Sequence, residues 1–365
     1  SEMCIRDSFR CYYAYCHRLN TKEELMRKMV TIREIVDISP IDNADKIEVA
    51  TVSGWKVVVS KGKHQVGEKV AYFEIDTLLP EDNPLFSEFT QRSSKRSVNP
   101  EGKTVKGHVL RTIKLRGQIS QGLIMSLDEI GLSSDSTQEE VDEWMKDNGV
   151  FKHEPPIISL SGGELIGTFP EKYAQKTDSE RVQNLNDDFL SSLNKDDWYA
   201  TEKIDGTSST FFVDEEGRFR AASRNYEVSL DNDSPYSIAA KRFKLAEKMR
   251  PGQLIQAEIY GEGIQGNKLK VDGINMAVFH TEGINVDDGD IYAFVQAKSV
   301  PKLGYTLPST VEEAVEQVNG MKSLINPNVL AEGVVWWNKN GDTFAECGDR
   351  PNFKAINNKF LLKEK

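Results

Sequence analysis

The sequence predicts an α+β protein in two parts, a small β-barrel followed by a larger half of mainly antiparallel sheet mixed with helices. Three observations carry this. From Met29 to about residue 130, short runs rich in β-branched and aromatic residues alternate with turn signals, and no long helix intervenes. Beyond residue 169, strand-like runs and amphipathic helices are mixed without a regular strand–helix–strand alternation. A stretch punctuated by proline and glycine, "KHEPPIISLSGGELIGTFPEK", separates the two.

The elements follow in order. The stretch "SEMCIRDSFRCYYAYCHRLN" shows neither helical nor strand period, and residues 1–28 read as a leader that is non-native or disordered. The runs "VTIREIVDI", "KIEVATVSGWKVVVS", "KVAYFEIDTLLP" and "HVLRTIKLRGQISQGLIMSL" then alternate with the turns "SPIDNAD", "SGW", "SKGKHQVGE" and "LRGQIS". Four or five strands here fit a barrel or sandwich over residues 29–132. A capped amphipathic helix in "SSDSTQEEVDEWMKDNGVF" and the connection fill residues 133–168. Residues 169–365 hold the helices "SPYSIAAKRFKLAEKMR" and "TVEEAVEQVNGM". Their strands are "STFFVDEEGRFRAASRN", a hairpin around Glu216-Gly217, then "QLIQAEIYG", "IYAFVQA" and "EGVVWWNKNGDTFAEC".

Composition narrows the class. A chain of 365 residues with 38% hydrophobic and 28% charged content is long enough for two or three soluble domains. No apolar run is long enough for a bilayer and no segment reads as a cleavable signal, so a cytoplasmic protein without a membrane partner is expected. The net charge of −11 argues against coating nucleic acid through bulk charge, but leaves room for a local basic groove. Cys11, Cys16 and His17 lack a second ligand pair at finger spacing, so neither structural zinc nor disulfides are expected.

The chemistry centres on "ATEKIDGTSSTFF". A lysine nucleophile at Lys203 needs its amine uncharged, and nearby cations and desolvation would lower its pKa. Charge developing at phosphorus needs cations or metal, and the metal needs carboxylates. Such groups occur downstream at strand ends: Arg224 in "AASRNYEV", Glu258 in "IQAEIYGEG", Glu332 in "AEGVVWW" and Lys354 in "NFKAINNKFLLK". Each alone reads equally as a solvated charge; their order together does not.

That ordered set, "EKIDGT", "SRN", "AEIYG", "EGVV" and "FKAIN", resembles motifs I, Ia, III, IV and V of the covalent nucleotidyltransferases. The superfamily comprises ATP-dependent RNA and DNA ligases and capping guanylyltransferases. "QKTDSERVQNL", "YGEGIQGNK" and "FKAINNKFLLK" are similar to RNA ligases. "PIDNADKIEVATV" through "LRGQISQGLIMS" resembles an OB-type module of some tRNA-binding proteins. With that module in front, the chain from Met29 onward looks like the Deinococcus-type RNA ligase family. The resemblance implies an OB-like barrel followed by a nucleotidyltransferase domain of ATP-grasp-like antiparallel sheets with helices.

It also implies roles. Lys203 would take AMP from ATP, with Asp205 orienting the lysine or the waters of Mg2+ or Mn2+, and Gly206 allowing close backbone approach. Glu202 would offer backbone groups to the adenine edge, Arg224 would meet ribose or phosphate, and Glu258 a ribose hydroxyl. Glu332 would hold the metal and Lys354 the α-phosphate, while Phe279, with Phe294 as rival, would stack on adenine. Two positions depart from relatives: Ile356 replaces a second motif V lysine, for which Lys359 or Lys363 could compensate, and Ser208 replaces an asparagine. The implied partner is RNA, as broken ends or a nicked RNA or RNA:DNA duplex, and a monomer is expected. A DNA ligase, a capping-type guanylyltransferase and a non-catalytic RNA-binding protein are the alternatives. In the barrel, Lys56, Lys61, Lys63, Arg111, Lys114 and Arg116 offer charge, and Trp55 and Tyr72 offer stacking faces, unless these are simply a solvated surface and core aromatics. His64 and His108 read as exposed turn residues.

Overall fold

The computed structural model describes residues 28–154, 164–284 and 294–363, so nearly all of the expected leader, including Cys4, Cys11 and Cys16, lies outside it. The first sheet has five antiparallel strands in the order Leu123–Ser126, Lys69–Phe73, Val30–Pro40, Ile47–Val52 and Trp55–Ser60. Val30–Pro40 pairs with one neighbour through its first half and the other through its second, with a bulge between Ile35 and Asp37. Such a bulge bends one strand to serve two walls of a barrel. Alternation decides what faces inward: Trp55, Val57 and Val59 are buried, while Lys56 and Ser60 are exposed.

More strands are present here than the four or five expected. Ten lie between Val30 and Ser126. Three of them form a second sheet with the strand after the helix, in the order Phe151–Lys152, Thr77–Pro80, Thr104–Val109 and Lys95–Val98. "KRSV" and "TVKGHV" are too polar to announce themselves as strands. The helix Gln138–Asp147 starts at Thr137, whose side chain forms a capping box with Glu140, and Trp144 meets Phe73 edge-on at 5.9 Å.

The second half contains two sheets. The seven-stranded one runs Leu165–Thr168, Tyr226–Val228, Phe219–Ala222, Thr207–Val213, Leu254–Gly261, Ile274–Glu282 and Lys298–Ser299. The five-stranded one runs Glu180–Arg181, Asn352–Ile356, Gly333–Asn338, Trp198–Lys203 and Lys302–Leu303. Separate cores support them, one around Phe211, Ile255 and Val278, the other around Trp198, Trp336 and Phe353. The chain crosses directly from one sheet to the other at Ile204–Gly206. Among the described residues no helix is long and apolar enough to cross a membrane.

Three local expectations change. The helix around "SPYSIAAKRFKLAEKMR" is two helices, Pro235–Arg242 and Leu245–Lys248, because Lys244 takes a left-handed φ of 54° while Phe243 and Leu245 both turn inward. Part of the connection is an edge strand, Leu165–Thr168, so it belongs to the second half. Of "IYAFVQA", residues 291–293 lie outside the described part, and Phe294 and Val295 are helical.

The segment quoted as "QKTDSERVQNL" joins the halves. Asn184 accepts from Trp55 Nε1 at 2.8 Å and Arg33 at 3.2 Å, and donates to Glu74 at 3.2 Å and Glu180 at 2.8 Å. Arg181 lies against Glu74, Asp76 and the Trp55 ring. Gly54 donates to the Gln183 carbonyl, and a Cβ on Gly54 would stand 2.4 Å from Val311. Trp55 and Tyr72 are therefore core and seam residues, not exposed stacking faces. Lys63 is paired with Glu129. His64 is buried beside Glu68, and His108 is a half-buried strand residue, so neither is an exposed turn residue.

Candidate active site

Lys203 ends a strand of the five-stranded sheet, and Asp205 sits in the crossing that follows. Glu332 directly precedes Gly333, which faces Lys203 across the strand pair. This register brings Lys203 Nζ within 2.8 Å of Glu332 Oε2. Glu258 reaches the same place from the other sheet, in register with Ser208 on one side and Ala277 on the other. Two glycines make the approach close. A Cβ on Gly206 would lie 2.3 Å from the Ile259 carbonyl oxygen and 2.9 Å from Glu258 Cγ; one on Gly333 would lie 2.2 Å from the Ala355 carbonyl oxygen.

The electrostatics differ from the expected nucleophile. Burial pushes the Lys203 ammonium toward its neutral form, but Glu332, Glu258 and Asp205 outweigh it and leave the pKa above the ordinary lysine value. Carboxylates, not cations, are its nearest neighbours, so the lysine rests as an ammonium. The carboxylates bear the complementary strain. Burial, reinforced by Glu332 and Asp205 against Lys203 and Arg224, pushes Glu258 up to about 8. Burial and Glu332 push Asp205 up to about 6 against the opposing pull of Lys268 and Lys203. Asp205 Oδ1 accepts from Lys268 Nζ at 3.1 Å, whereas its buried Oδ2 has no partner.

The other candidates divide. Arg224 grips Asp178 through two nitrogens, at 2.7 and 3.1 Å, and acts electrostatically on Glu258. Lys354 lies in register between Val335 and Arg181. Phe279 stacks on Trp337 with ring centres 6.3 Å apart, while Phe294 packs against the core around Phe211 and Ile255. Glu202 is directed elsewhere: its amide donates to Pro301 and its buried carboxylate accepts from Leu324 N at 2.7 Å. Burial raises its pKa against the bonds from Ser323 and Leu324. Ser208 is within 3.2 Å of Thr177 Oγ1. Ile356 is buried and Lys359 packs over Gly320; the added amine in the cluster is Lys268. Sequence reasoning gave Lys268 and Asp178 no role, although both stand in quoted motifs, "YGEGIQGNK" and "QKTDSERVQNL".

Among the described residues no group of three or more His, Cys, Asp or Glu is set to hold a metal by itself. The cluster still suits a divalent cation. Three carboxylates face two ammonium groups, one carboxylate oxygen is buried without a partner, and magnesium-like ions typically take one or two carboxylates and complete their shell with phosphate and water.

An OB-fold module ahead of a nucleotidyltransferase-like domain with this lysine–carboxylate cluster defines the class. Residues 29–127 match an OB-fold domain model, and residues 196–356 match the RNA ligase model. Among solved structures, the chain is similar to Naegleria gruberi RNA ligase with pyrophosphate, at 32% identity over 93% of this chain and 99% of that one, TM-score 0.76. It is equally similar to variants of that enzyme with ATP and Mn, covering 92% of this chain and 99% of that one, and with AMP and Mn, covering 93% and 99%, both at 32% identity and TM-score 0.76. No curated protein matches the chain. The chain belongs to the RNA ligase family.

Proposed function

We infer that Lys203 carries the chemistry of this chain, which works as an ATP-dependent RNA ligase, and that its type is the Deinococcus one. The observation behind this is the convergence of Lys203, Asp205, Glu258 and Glu332 where the chain passes between two sheets. In the proposed reaction the amine attacks the α-phosphorus of ATP, a P–N bond forms and pyrophosphate leaves. AMP then passes to an RNA 5′-phosphate, freeing the lysine, and a 3′-hydroxyl displaces AMP as the phosphodiester forms.

The residues divide this work. The ammonium must surrender a proton before attack, and its pair with Glu332 holds it in place until then. Mg2+ or Mn2+ taken by Glu332, near the open oxygen of Asp205, would offset the surplus negative charge and favour the neutral amine. Lys354 neutralises the α-phosphate and Arg224, steered by Asp178, faces ribose or phosphate. A protonated Glu258 can both donate to and accept from a ribose hydroxyl. Phe279 stacks on adenine, supported by Trp337. Gly206 serves the packing of the crossing against the Glu258 strand. Glu202 ties its own strand, Trp198–Lys203, to the 323–325 turn. We divide the chain as OB-like barrel 29–132, then helix and linker, then adenylyltransferase domain, whose start moves from the expected residue 169 back to Leu165 because Leu165–Thr168 pairs with Tyr226–Val228.

Incubation with ATP labelled at the α-phosphate tests the reading. The protein should acquire lysine-linked label that is stable to alkali and released by acid, as a P–N bond requires, and Lys203→Ala should acquire none; normal labelling of that variant would refute the assignment. Sealing of nicked duplexes should require RNA on the 3′-hydroxyl side, where 2′-hydroxyls and A-form shape distinguish it from DNA.

A further inference from the structure

We propose that the strand pair Lys95–Val98 and Thr104–Val109 is a second nucleic-acid contact, gripping the phosphate backbone of the RNA substrate away from the reacting ends. The proposal rests on the ligase reading for the identity of the RNA, and on separate residues for the site. Residues 92–116 contain eight lysines and arginines and a single acid, Glu101, within a chain whose net charge is −11. That concentration is not spread along a loop. Arg96 and Lys106 stand directly opposite each other in the strand register, on the same face of the sheet, and both are exposed.

Like charges directly opposite across a strand pair are destabilising. Neither Arg96 nor Lys106 makes an ion pair among the described residues. A lysine on an edge strand can serve only to prevent sheet-to-sheet pairing. That reading covers Arg96, because Lys95–Val98 is the edge, but not Lys106, which lies on an interior strand between Lys95–Val98 and Thr77–Pro80. Beside the pair is a cavity of about 260 Å³ lined by Glu81, Ser94, Lys95, Arg96 and Lys106, with Ser94 donating to Glu81 at 3.2 Å. On the same face, His108 lies in the field of further cations. Burial lowers its pKa first, then Arg92 and Arg111, against the bond to Ser93.

The ribbon is linked through Glu154 to Asp178 and Arg224. Val98 N donates to the Glu154 carbonyl at 2.8 Å, and the Glu154 carboxyl is pushed up to about 7 by burial and then by Asp178 and Asp76. Asp178 is the partner of Arg224. Three strand spacings, roughly 14 Å, separate the outer edge from Phe151–Lys152 at the sheet's inner edge. RNA held along this sheet would meet fixed positive charge at its outer edge. The charge contacts phosphates and carries no sequence preference.

The experiment uses the full chain with Arg96→Glu/Lys106→Glu and, as a milder pair, Arg96→Gln/Lys106→Gln. Retention of a nicked RNA duplex is measured over a range of salt, without ATP, alongside labelling by ATP alone. Retention should weaken at least tenfold at low salt for the charge reversal and less for the glutamines. The log–log salt slope should become shallower by about 1 for each phosphate contact removed. ATP labelling should stay within twofold of the parent, which also reports an intact fold. Unchanged retention and slope would overturn the proposal. So would a fall in ATP labelling in step with retention, since the face would then serve the nucleotide. Failure of the parent protein to label would refute the ligase reading alone, because RNA retention is scored without ATP.

Discussion

At the seam between barrel and transferase, Asn184 uses both lone pairs of its oxygen and both hydrogens of its nitrogen, reaching Trp55, Arg33, Glu74 and Glu180. Around Lys203, by contrast, Asp205 has a buried oxygen without a partner, and burial and neighbouring carboxylates push Glu258 up to about 8. Both clusters are polar and largely withdrawn from solvent. A satisfied buried network holds a fold rigidly, whereas an unsatisfied one stores a demand that a ligand can meet. Asn184 thus closes the seam, whereas the Lys203 cluster keeps a buried acceptor without a partner.

The largest test of that contrast compares two readouts of Lys203→Ala. Labelling by ATP should disappear, while the melting temperature moves by less than a few degrees, since Glu332 remains close to solvent; a collapse in stability would erase the distinction. Gly206→Ala comes next. Its Cβ would meet the Ile259 carbonyl at 2.3 Å, so the crossing must shift. Labelling should slow by roughly 10- to 100-fold, with a stability loss of about 1–3 kcal/mol in urea unfolding.

Asn184→Ala should reverse the pattern. It removes a partner from Trp55 Nε1, Arg33 and Glu74 at once, and each buried group left unmade costs about 1–3 kcal/mol. Urea unfolding should report a loss of about 2–4 kcal/mol, while labelling per folded molecule falls less than tenfold. The smallest effect concerns Cys347, in the core of the five-stranded sheet. Burial, with Glu180 and Glu346, pushes its thiol up to about 12. The folded state therefore keeps a proton that the unfolded chain loses above the ordinary thiol range, so this group's contribution to stability declines as pH rises from there toward 12. Peptide mapping after alkylation at pH 8 should find Cys347 unmodified in the native protein and modified in urea.

Much of the site was legible because strand ends have local signatures. Lys203 closes its strand and Glu332 directly precedes one, while Glu258 sits inside a strand between apolar neighbours, and the register brings the three together at the sheet crossing. The partners that set their electrostatics were not legible. Lys268 meets Asp205 across 63 positions, and Asp178 meets Arg224 across 46. The same distance hid the seam, where Trp55 finds Asn184 across 129 positions and so is no stacking face. Short polar strands such as Lys95–Val98 escaped because their charges obscure the alternation that reveals longer ones.

By itself the sequence determined the α+β class, the barrel-first order and the position of the candidate lysine in the chain. These depend on periodicity and turn chemistry, which act over a few residues. Only the tertiary structure decided that Lys203 rests as an ammonium, that Lys268 joins its cluster and that Arg96 faces Lys106. Charge interactions depend on separation in space and on exclusion of water, and folding alone sets both.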